Sequence, residues 1–176
     1  PNPSLAATQE LNRTLISVAR RMGDAGGMYD YPPGSEELRM QIARRSLASG
    51  CSLSPDDIII TSGCSESLNL CLRAVCEPGD VVAIESPLYF DALQMMEAFD
   101  LQVLEMPTHP RDGISLDALN FAVSHNNISA CMVISNFNNP LGSCIPDDNK
   151  RELVDLVTEH NIPLIENDIF GELYFG

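Results

Sequence analysis

The chain has 176 residues, of which 44% are hydrophobic and 20% charged, a balance typical of an ordinary globular domain rather than of a disordered segment. Its 10 basic and 25 acidic side chains give a net charge of -15, which disfavours nucleic-acid binding by most of its surface. The chain lacks an apolar run long enough to span a bilayer and lacks a secretion signal near residue 1, so we expect a cytoplasmic protein without membrane contact.

The first part of the chain is predicted to be helical. Apolar residues recur at helical spacing over 5–22, and the glycine-rich residues 23–27 end that helix. A second helix is predicted from Ser35, an acceptable N-cap, to Ser49, with Gly50 as its stop signal. We assign residues 1–50 to this helical segment.

From residue 51 onwards, short β-rich runs alternate with helical ones. The predicted strands are 58–61, 81–85, 101–106, 130–135 and 162–166, and the predicted helices between them are 64–76, 89–98, 115–124 and 146–160. Continuous apolar strands separated by helices indicate a mainly parallel sheet with helices on both faces, a doubly wound α/β fold. Ligands bind beyond the carboxyl ends of such strands, so the residues that follow each strand are candidates for a site.

Two of these segments could bind a phosphorylated aromatic ligand, one at its phosphate and the other at its ring. Residues 62–67 are small and hydroxylic and open a helix, whose free N–H groups favour an anion; the alternative is a plain N-cap by Ser62 or Ser65. Tyr89 and Phe90 follow the next strand, where an aromatic ring could stack on a flat ligand; the alternative is packing in the core.

Two further segments follow later strands. The turn that contains Asn139, Pro140 and Gly142 is rigid enough to aim an amide into the same crevice, although it could also be an ordinary Asn-Pro turn. Asn167 and Asp168 follow the last predicted strand and bring polar groups to a fourth strand end. Six cysteines without a CxxC pair predict buried structural thiols rather than metal or redox ligands.

Taken in order, these segments resemble the class I/II aminotransferase family, fold type I enzymes that use pyridoxal 5'-phosphate. The resemblance covers essentially the whole chain and rests on Tyr29-x4-Gly34-x3-Leu38-Arg39, Thr61-Ser62-Gly63, Glu85-x-Pro87-x-Tyr89, Asn139-Pro140-x-Gly142 and residues 166–172. The phrases IIITSGCSESL, PGDVVAIESP and THPRDGISLDAL are most similar to the aminotransferase-like domain of MocR-type GntR transcription regulators. The resemblance implies that 51–176 is the first part of the large, cofactor-binding domain.

The resemblance also implies roles for individual residues. Gly63, Cys64 and Ser65 would bind the phosphate, Tyr89 would stack on the pyridine ring, and Asn139 would bond the ring hydroxyl. Tyr29 would reach the phosphate across a dimer interface. For Tyr29 a packing role is the alternative, and Tyr31 is the nearby competitor.

The chain departs from the family pattern in the last segment. Asn167 stands where the family has the aspartate that keeps the pyridine nitrogen protonated, and Phe170 stands where it has tyrosine. Asp168 could take the aspartate's role only through a one-residue shift, which would reverse the faces of the strand.

The family's lysine for the Schiff base lies farther along than residue 176. The only lysine here, Lys150, is predicted to be a solvated surface residue beside Asp147, Asp148 and Glu152. We therefore assign no catalytic residue, and we expect this chain by itself to bind the cofactor non-covalently or not at all.

The sequence thus supports one main hypothesis and two alternatives. The main hypothesis is a fragment of the effector domain of a homodimeric regulator, which responds to an amino acid or another small molecule and binds DNA through a module outside this chain. The first alternative is a fragment, inactive alone, of an aminotransferase that acts on an amino acid and an oxo acid. The second is an α/β scaffold without a cofactor. Because the chain starts at Pro1 and stops just after an apolar run, we interpret it as part of a longer protein.

Overall fold

A computed structural model describes residues 7–173, and the chain divides into two units, Pro1–Ile60 and Thr61–Gly176. The assignment of residues 1–50 and 51–176 to a helical segment and a cofactor-binding domain remains a prediction. Among the described residues, no helix combines the length and the apolar character that crossing a bilayer requires.

The described part of the first unit, residues 7–60, is helical, as its pattern predicts; positions 5 and 6 of the first predicted helix lie outside the described residues. It contains α1 (Thr8–Met22), α2 (Glu36–Ser46) and 3-10 turns at Gly23–Gly27, Leu47–Ser49 and Pro55–Asp57. Helix α2 begins after Ser35, whose side chain accepts a hydrogen bond from the Leu38 N–H at 3.4 Å. The chain leaves the helical conformation at Gly50, which is left-handed with a φ of 74° and so favours glycine.

Arg39 joins the parts of this unit. Its guanidinium is buried and donates hydrogen bonds to the carbonyl of Gly34 at 3.3 Å, the carbonyl of Pro55 at 2.6 Å and the carboxylate of Asp56 at 3.3 Å. These bonds link the turn before α2 to the 3-10 turn at Pro55–Asp57. The buried charge is therefore paired and solvated by the backbone.

The prediction of a strand over 58–61 is wrong. No strand forms at these residues. The Ile60 N–H donates to the carbonyl of Pro33 at 2.9 Å instead of to a neighbouring strand. Ile58 is buried whereas Ile59 is exposed, so the run has the alternating burial of extended chain. Local β propensity correctly indicates an extended backbone, but the pairing partner decides whether a strand forms.

The second unit alternates helices and strands. Its elements are α3 (Cys64–Val75), β1 (Val81–Ser86), α4 (Phe90–Ala98), β2 (Gln102–His109), β3 (Gly113–Ile114), α5 (Leu116–His125), β4 (Ile128–Val133), α6 (Asp147–Glu159) and β5 (Leu164–Glu166). The five strands form one sheet in the order β3-β2-β1-β4-β5. Strands β1, β2, β4 and β5 pair in parallel, whereas β3 pairs antiparallel with β2.

Two apolar layers cover the two faces of this sheet. On one face, Leu119 of α5 and Leu153 of α6 pack with Ala83 and Cys131; on the other, helices α3 and α4 pack against the alternate strand residues, such as Ile84. Because successive side chains of a strand point to opposite faces, the apolar runs of β1 and β4 supply both layers. The predicted doubly wound α/β fold is confirmed.

Candidate functional site

A cavity of about 280 Å³ opens in the second unit, where β1, β4 and β5 end and α3 begins. Its wall includes Cys64, Tyr89, Asn139 and Asn167, which follow four of the five β-rich runs that the sequence predicts. The lining otherwise consists largely of apolar side chains. A small apolar cavity with a few convergent polar groups is the usual form of a small-molecule site, although this volume is near the lower end of the range.

The N-terminus of α3 lies at the wall of the cavity and is uncapped. Gly63 is the N-cap residue with a φ of 118°, a conformation that favours glycine, and no side chain caps the helix. The predicted alternative, a cap by Ser62 or Ser65, is therefore wrong. The backbone N–H groups of Cys64 and Ser65 belong to the first turn, which has no intrahelical acceptors, so they favour an anionic ligand.

Tyr89 occupies the N-cap position of α4, and its ring forms part of the cavity wall. It lies beside Phe90, with the ring centroids 4.8 Å apart, and both rings are substantially exposed, so the predicted alternative of core packing is wrong. A hydrogen bond to Asp91 raises the pKa of Tyr89. The phenol therefore stays neutral near pH 7 and presents an uncharged aromatic face.

The turn after β4 places Asn139 at the cavity while its neighbour Asn138 points inwards. The Asn138 amide is buried; its Nδ2 donates to the Glu85 carboxylate at 3.0 Å, and its Oδ1 accepts from the Leu141 N–H at 3.3 Å. The Gly142 N–H closes the turn on the Asn138 carbonyl at 2.5 Å. The turn is thus fixed from the inside, which leaves the Asn139 side chain for the cavity.

Glu85 is a buried carboxyl whose role the sequence analysis missed. Its side chain is fully buried, and its Oε2 accepts from the Ile134 N–H at 2.6 Å and from Asn138 at 3.0 Å. Its Oε1 is buried without a hydrogen-bond partner. Burial raises the pKa of Glu85, against the lowering effect of the two hydrogen bonds. The available signal was a glutamate at the end of the apolar run VVAIE.

Asn167 and Asp168, which follow β5, point to different environments. Asn167 contributes to the cavity wall, and its backbone N–H donates to the Val133 carbonyl of β4 at 2.8 Å. Asp168 is not part of that wall, and its carboxylate accepts a hydrogen bond from Asn136 Nδ2 at 2.7 Å. Asn167, not Asp168, therefore faces the cavity. Phe170 also contributes to the wall.

Lys150 is less solvated than the sequence predicts. It is half-buried, and its Nζ donates to Asn136 Oδ1 at 3.0 Å. Of the predicted acidic neighbours, Asp148 pairs with Arg151 at 2.7 Å instead. Because Asn136 can accept through its oxygen and donate through its nitrogen, it bridges the ammonium of Lys150 to the carboxylate of Asp168.

Tyr29 and Tyr31 belong to the first unit, where their side chains are 90% and 81% exposed. Exposure rules out packing of Tyr29 within that unit, and its role at a dimer interface stays a prediction. The cysteines depart from expectation, since only Cys76 and Cys131 are buried. Within residues 7–173, no three His, Cys, Asp or Glu side chains are grouped as metal ligands.

Fold and cavity together define a doubly wound α/β domain with a candidate small-molecule site at its strand ends, and the comparison of sequences places it in a family. The chain belongs to the class I and II aminotransferases, whose sequence pattern it matches over residues 3–176.

Relatives of the chain include two transcription regulators. The chain is 43% identical to the helix-turn-helix-type transcriptional regulator YdcR of Escherichia coli K12 and 47% identical to YjiR of the same organism. It is aligned over 100% and 98% of its own length and spans only 38% and 37% of theirs.

The family also includes enzymes of known structure. The crystal structure of LysN, an α-aminoadipate aminotransferase from Thermus thermophilus complexed with N-(5'-phosphopyridoxyl)-L-leucine, has a TM-score of 0.89 and 27% identity. The match covers 100% of this chain and 44% of that one. The predicted family and the predicted fold are confirmed, and the predicted cofactor class, pyridoxal 5'-phosphate, is the one that this family uses.

The residues of the cavity fit the parts of pyridoxal 5'-phosphate. The uncapped first turn of α3 suits the phosphate, the Tyr89 ring suits an aromatic face, and the amides of Asn139 and Asn167 suit the polar substituents of the ring. Lys150 is not part of the wall, so the chain supplies no amine there for a covalent bond.

Proposed function

We propose that this chain is part of the pyridoxal 5'-phosphate-binding, aminotransferase-like effector domain of a GntR/MocR-type transcription regulator. The observation that carries the proposal is the convergence of Cys64, Tyr89, Asn139 and Asn167 on one cavity, in a chain whose relatives include YdcR and YjiR. Because the chain spans less than two fifths of those relatives, the proposal concerns a longer protein that contains it.

Each cavity residue would make one kind of contact. The N–H groups of Cys64 and Ser65, with the positive end of the α3 dipole, would bind the phosphate, and Gly63 would allow the backbone to turn there. Tyr89 would stack on the pyridine ring, and Asn139 would bond the ring hydroxyl. Asn167 would contact the ring nitrogen, and Phe170 would close the wall beside it.

The identity of Asn167 favours sensing over catalysis. When bound, the cofactor supplies an electron sink for amino-acid chemistry, and that sink is strongest when a carboxylate keeps the ring nitrogen protonated. Asn167 brings a neutral amide to the cavity, and the adjacent carboxylate, Asp168, is bonded to Asn136 instead. Such a site would bind the cofactor and a small-molecule partner without rapid turnover.

The rest of the regulator would supply what this chain does not. DNA would be bound by a module outside residues 1–176, since the net charge of -15 repels a polyanion. We expect a cytoplasmic homodimer in which the exposed Tyr29 reaches the phosphate in the partner subunit. An amino acid or a related effector would be the signal.

The main alternative is an aminotransferase that converts an amino acid to its oxo acid. It is supported by the structural likeness to LysN, at a lower identity than that of the two regulators. Under this alternative the lysine and the remaining part of the site would also lie outside the present chain.

Titration of the full-length protein with pyridoxal 5'-phosphate tests the proposed site. We expect saturable binding, and Tyr89→Ala should weaken it by about twofold to twelvefold, because stacking contributes about 0.5–1.5 kcal/mol. Phe121→Ala is the matched control, since Phe121 is also an exposed aromatic residue but is not part of the cavity wall. Equal effects of the two substitutions would contradict the proposed site, and no binding at all would support the scaffold without a cofactor.

A second measurement separates regulator from enzyme. The loaded protein is mixed with each of the common amino acids, oxo acids are measured by mass spectrometry, and binding to DNA from its own promoter region is measured in parallel. A regulator should change its DNA affinity without forming an oxo acid. Rapid formation of oxo acid, with DNA binding absent, would establish the aminotransferase.

A further inference from the structure

The side chain of Asn167 has a fixed polarity. Its Oδ1 accepts from the backbone N–H of Ile169 at 3.4 Å and from Cys64 Sγ at 3.4 Å. A backbone N–H can only donate, so the atom that faces it is the amide oxygen and not the nitrogen. The two orientations of the amide are therefore not equivalent at this position.

Cys64 reinforces that orientation. Burial raises the pKa of the Cys64 thiol, with the nearby Cys71 as a second cause, so the sulfur keeps its proton near neutral pH. A protonated thiol donates to an oxygen, whereas a thiolate would attract the amide N–H groups. Both lone pairs of Oδ1 are consequently engaged, one by Ile169 and one by Cys64.

The amide nitrogen remains available to a ligand. Among residues 7–173, no group accepts a hydrogen bond from Asn167 Nδ2, and Asn167 forms part of the cavity wall. An amide nitrogen carries two N–H donors and no acceptor. This part of the wall therefore offers hydrogen-bond donors to whatever occupies the cavity.

The neighbouring carboxylate does not reverse this polarity. Asp168 accepts from Asn136 at 2.7 Å, and Asn136 in turn accepts from Lys150 at 3.0 Å, so a chain of hydrogen bonds keeps the Asp168 carboxylate away from the cavity. The charged residue in the wall is Asp91, which is engaged by the Tyr89 hydroxyl.

We propose that Asn167 donates a hydrogen bond to the ring nitrogen of pyridoxal 5'-phosphate and thereby selects the cofactor with that nitrogen unprotonated. The proposal rests on the proposed function, because it assumes that the cofactor occupies this cavity. A protonated ring nitrogen would place its N–H against the N–H groups of Asn167, leaving two donors face to face. The family's aspartate has the opposite effect, since a carboxylate only accepts and stabilises the protonated ring.

The test is nitrogen NMR of the full-length protein loaded with pyridoxal 5'-phosphate that carries ¹⁵N in the ring. The chemical shift of this nitrogen reports its protonation directly and does not depend on catalytic turnover. In the wild-type protein at neutral pH we expect the shift of an unprotonated pyridine. In Asn167→Asp we expect the shift of a protonated pyridine, because the new carboxylate accepts a hydrogen bond from the protonated ring nitrogen.

Asp168→Asn is the matched control, since it neutralises the adjacent carboxyl, which is not part of the cavity wall. It should leave the ring signal where it is in the wild type. A protonated ring in the wild-type protein, or a ring signal that moves in Asp168→Asn, overturns the inference while leaving cofactor binding established. Failure of the wild-type protein to bind the cofactor overturns the proposed function, and the inference with it.

Discussion

Replacing Glu85 by glutamine and by alanine separates the carboxyl's charge from its hydrogen bonds. Glu85 Oε2 accepts from the Ile134 N–H and from Asn138 Nδ2, and both bonds lie inside the second unit. Glutamine keeps an oxygen that can accept both bonds and removes the charge. Alanine removes the acceptor as well.

The alanine variant should be strongly destabilised. It leaves two buried donors without an acceptor, and each unsatisfied donor costs about 1–3 kcal/mol, so we expect a loss of about 2–6 kcal/mol at low pH. At higher pH the loss should be smaller, because the substitution also removes a carboxylate that is costly to ionise where it is buried.

The glutamine variant should reveal the sign of the pH dependence. Burial raises the pKa of Glu85 in the folded protein above the unfolded value of 4.5, so the folded state retains its proton to higher pH. The stability due to this proton is fully present below pH 4.5 and is lost as the pH rises through the folded-state pKa. Wild-type stability should therefore fall relative to Glu85→Gln as the pH rises, by at most about 1.4 kcal/mol per pH unit.

Denaturant unfolding of the full-length wild type and both variants between about pH 5 and pH 8 provides the measurement. The useful quantity is the difference in unfolding free energy between wild type and Glu85→Gln at each pH, because contributions from other titrating groups cancel. A difference that stays constant, or one that grows in favour of the wild type as the pH rises, would refute the reasoning.

Three further predictions concern the packing. Gly113→Ala should destabilise by about 1–3 kcal/mol more than Gly142→Ala in denaturant unfolding: both glycines have positive φ, but only at Gly113 would the new Cβ meet a side chain, Ile145 Cγ1 at 2.5 Å. Arg39→Lys should speed amide hydrogen exchange over residues 34–57, since lysine cannot reproduce the three bonds of the guanidinium. Cys131, whose pKa burial raises to about 12, should resist alkylation in the native protein while the exposed thiols react, as measured by mass spectrometry.

The sequence predicts a strand correctly where the pattern of that strand alone is sufficient to define it. The apolar runs of β1 and β4 are long enough to require burial on both faces, and their parallel pairing follows from the helices between them. The run at 58–61 is also rich in residues that favour strands, but its Ile60 N–H bonds to the carbonyl of Pro33, a contact that no local pattern encodes. Strand β3 was missed because its two residues are too few to show a period.

In the site, too, the sequence predicts what a local pattern defines and misses what depends on distant contacts. The sequence could place Cys64, Tyr89, Asn139 and Asn167 after four of the five predicted β-rich runs, and the rule for ligand sites in such folds then brings them to one edge of the sheet. It could not assign Glu85, because a glutamate at the end of an apolar run is equally compatible with a solvated strand end. It also could not pair Lys150 with Asn136, since that contact depends on where α6 packs.

The two asparagines of the cavity are fixed by different means, and this difference predicts separable effects. Asn139 is positioned through the turn that Asn138 and Glu85 fix from inside, whereas Asn167 is positioned through the contacts of its own Oδ1. Glu85→Ala should therefore weaken cofactor binding and leave the protonation of the ring nitrogen unchanged, while Asn167→Asp should change that protonation without loosening the turn. Cofactor titration and ¹⁵N NMR on both variants measure the two effects independently. If Glu85→Ala shifted the ring signal as Asn167→Asp is expected to, the two ends of the cavity would be coupled and their separate positioning would be wrong.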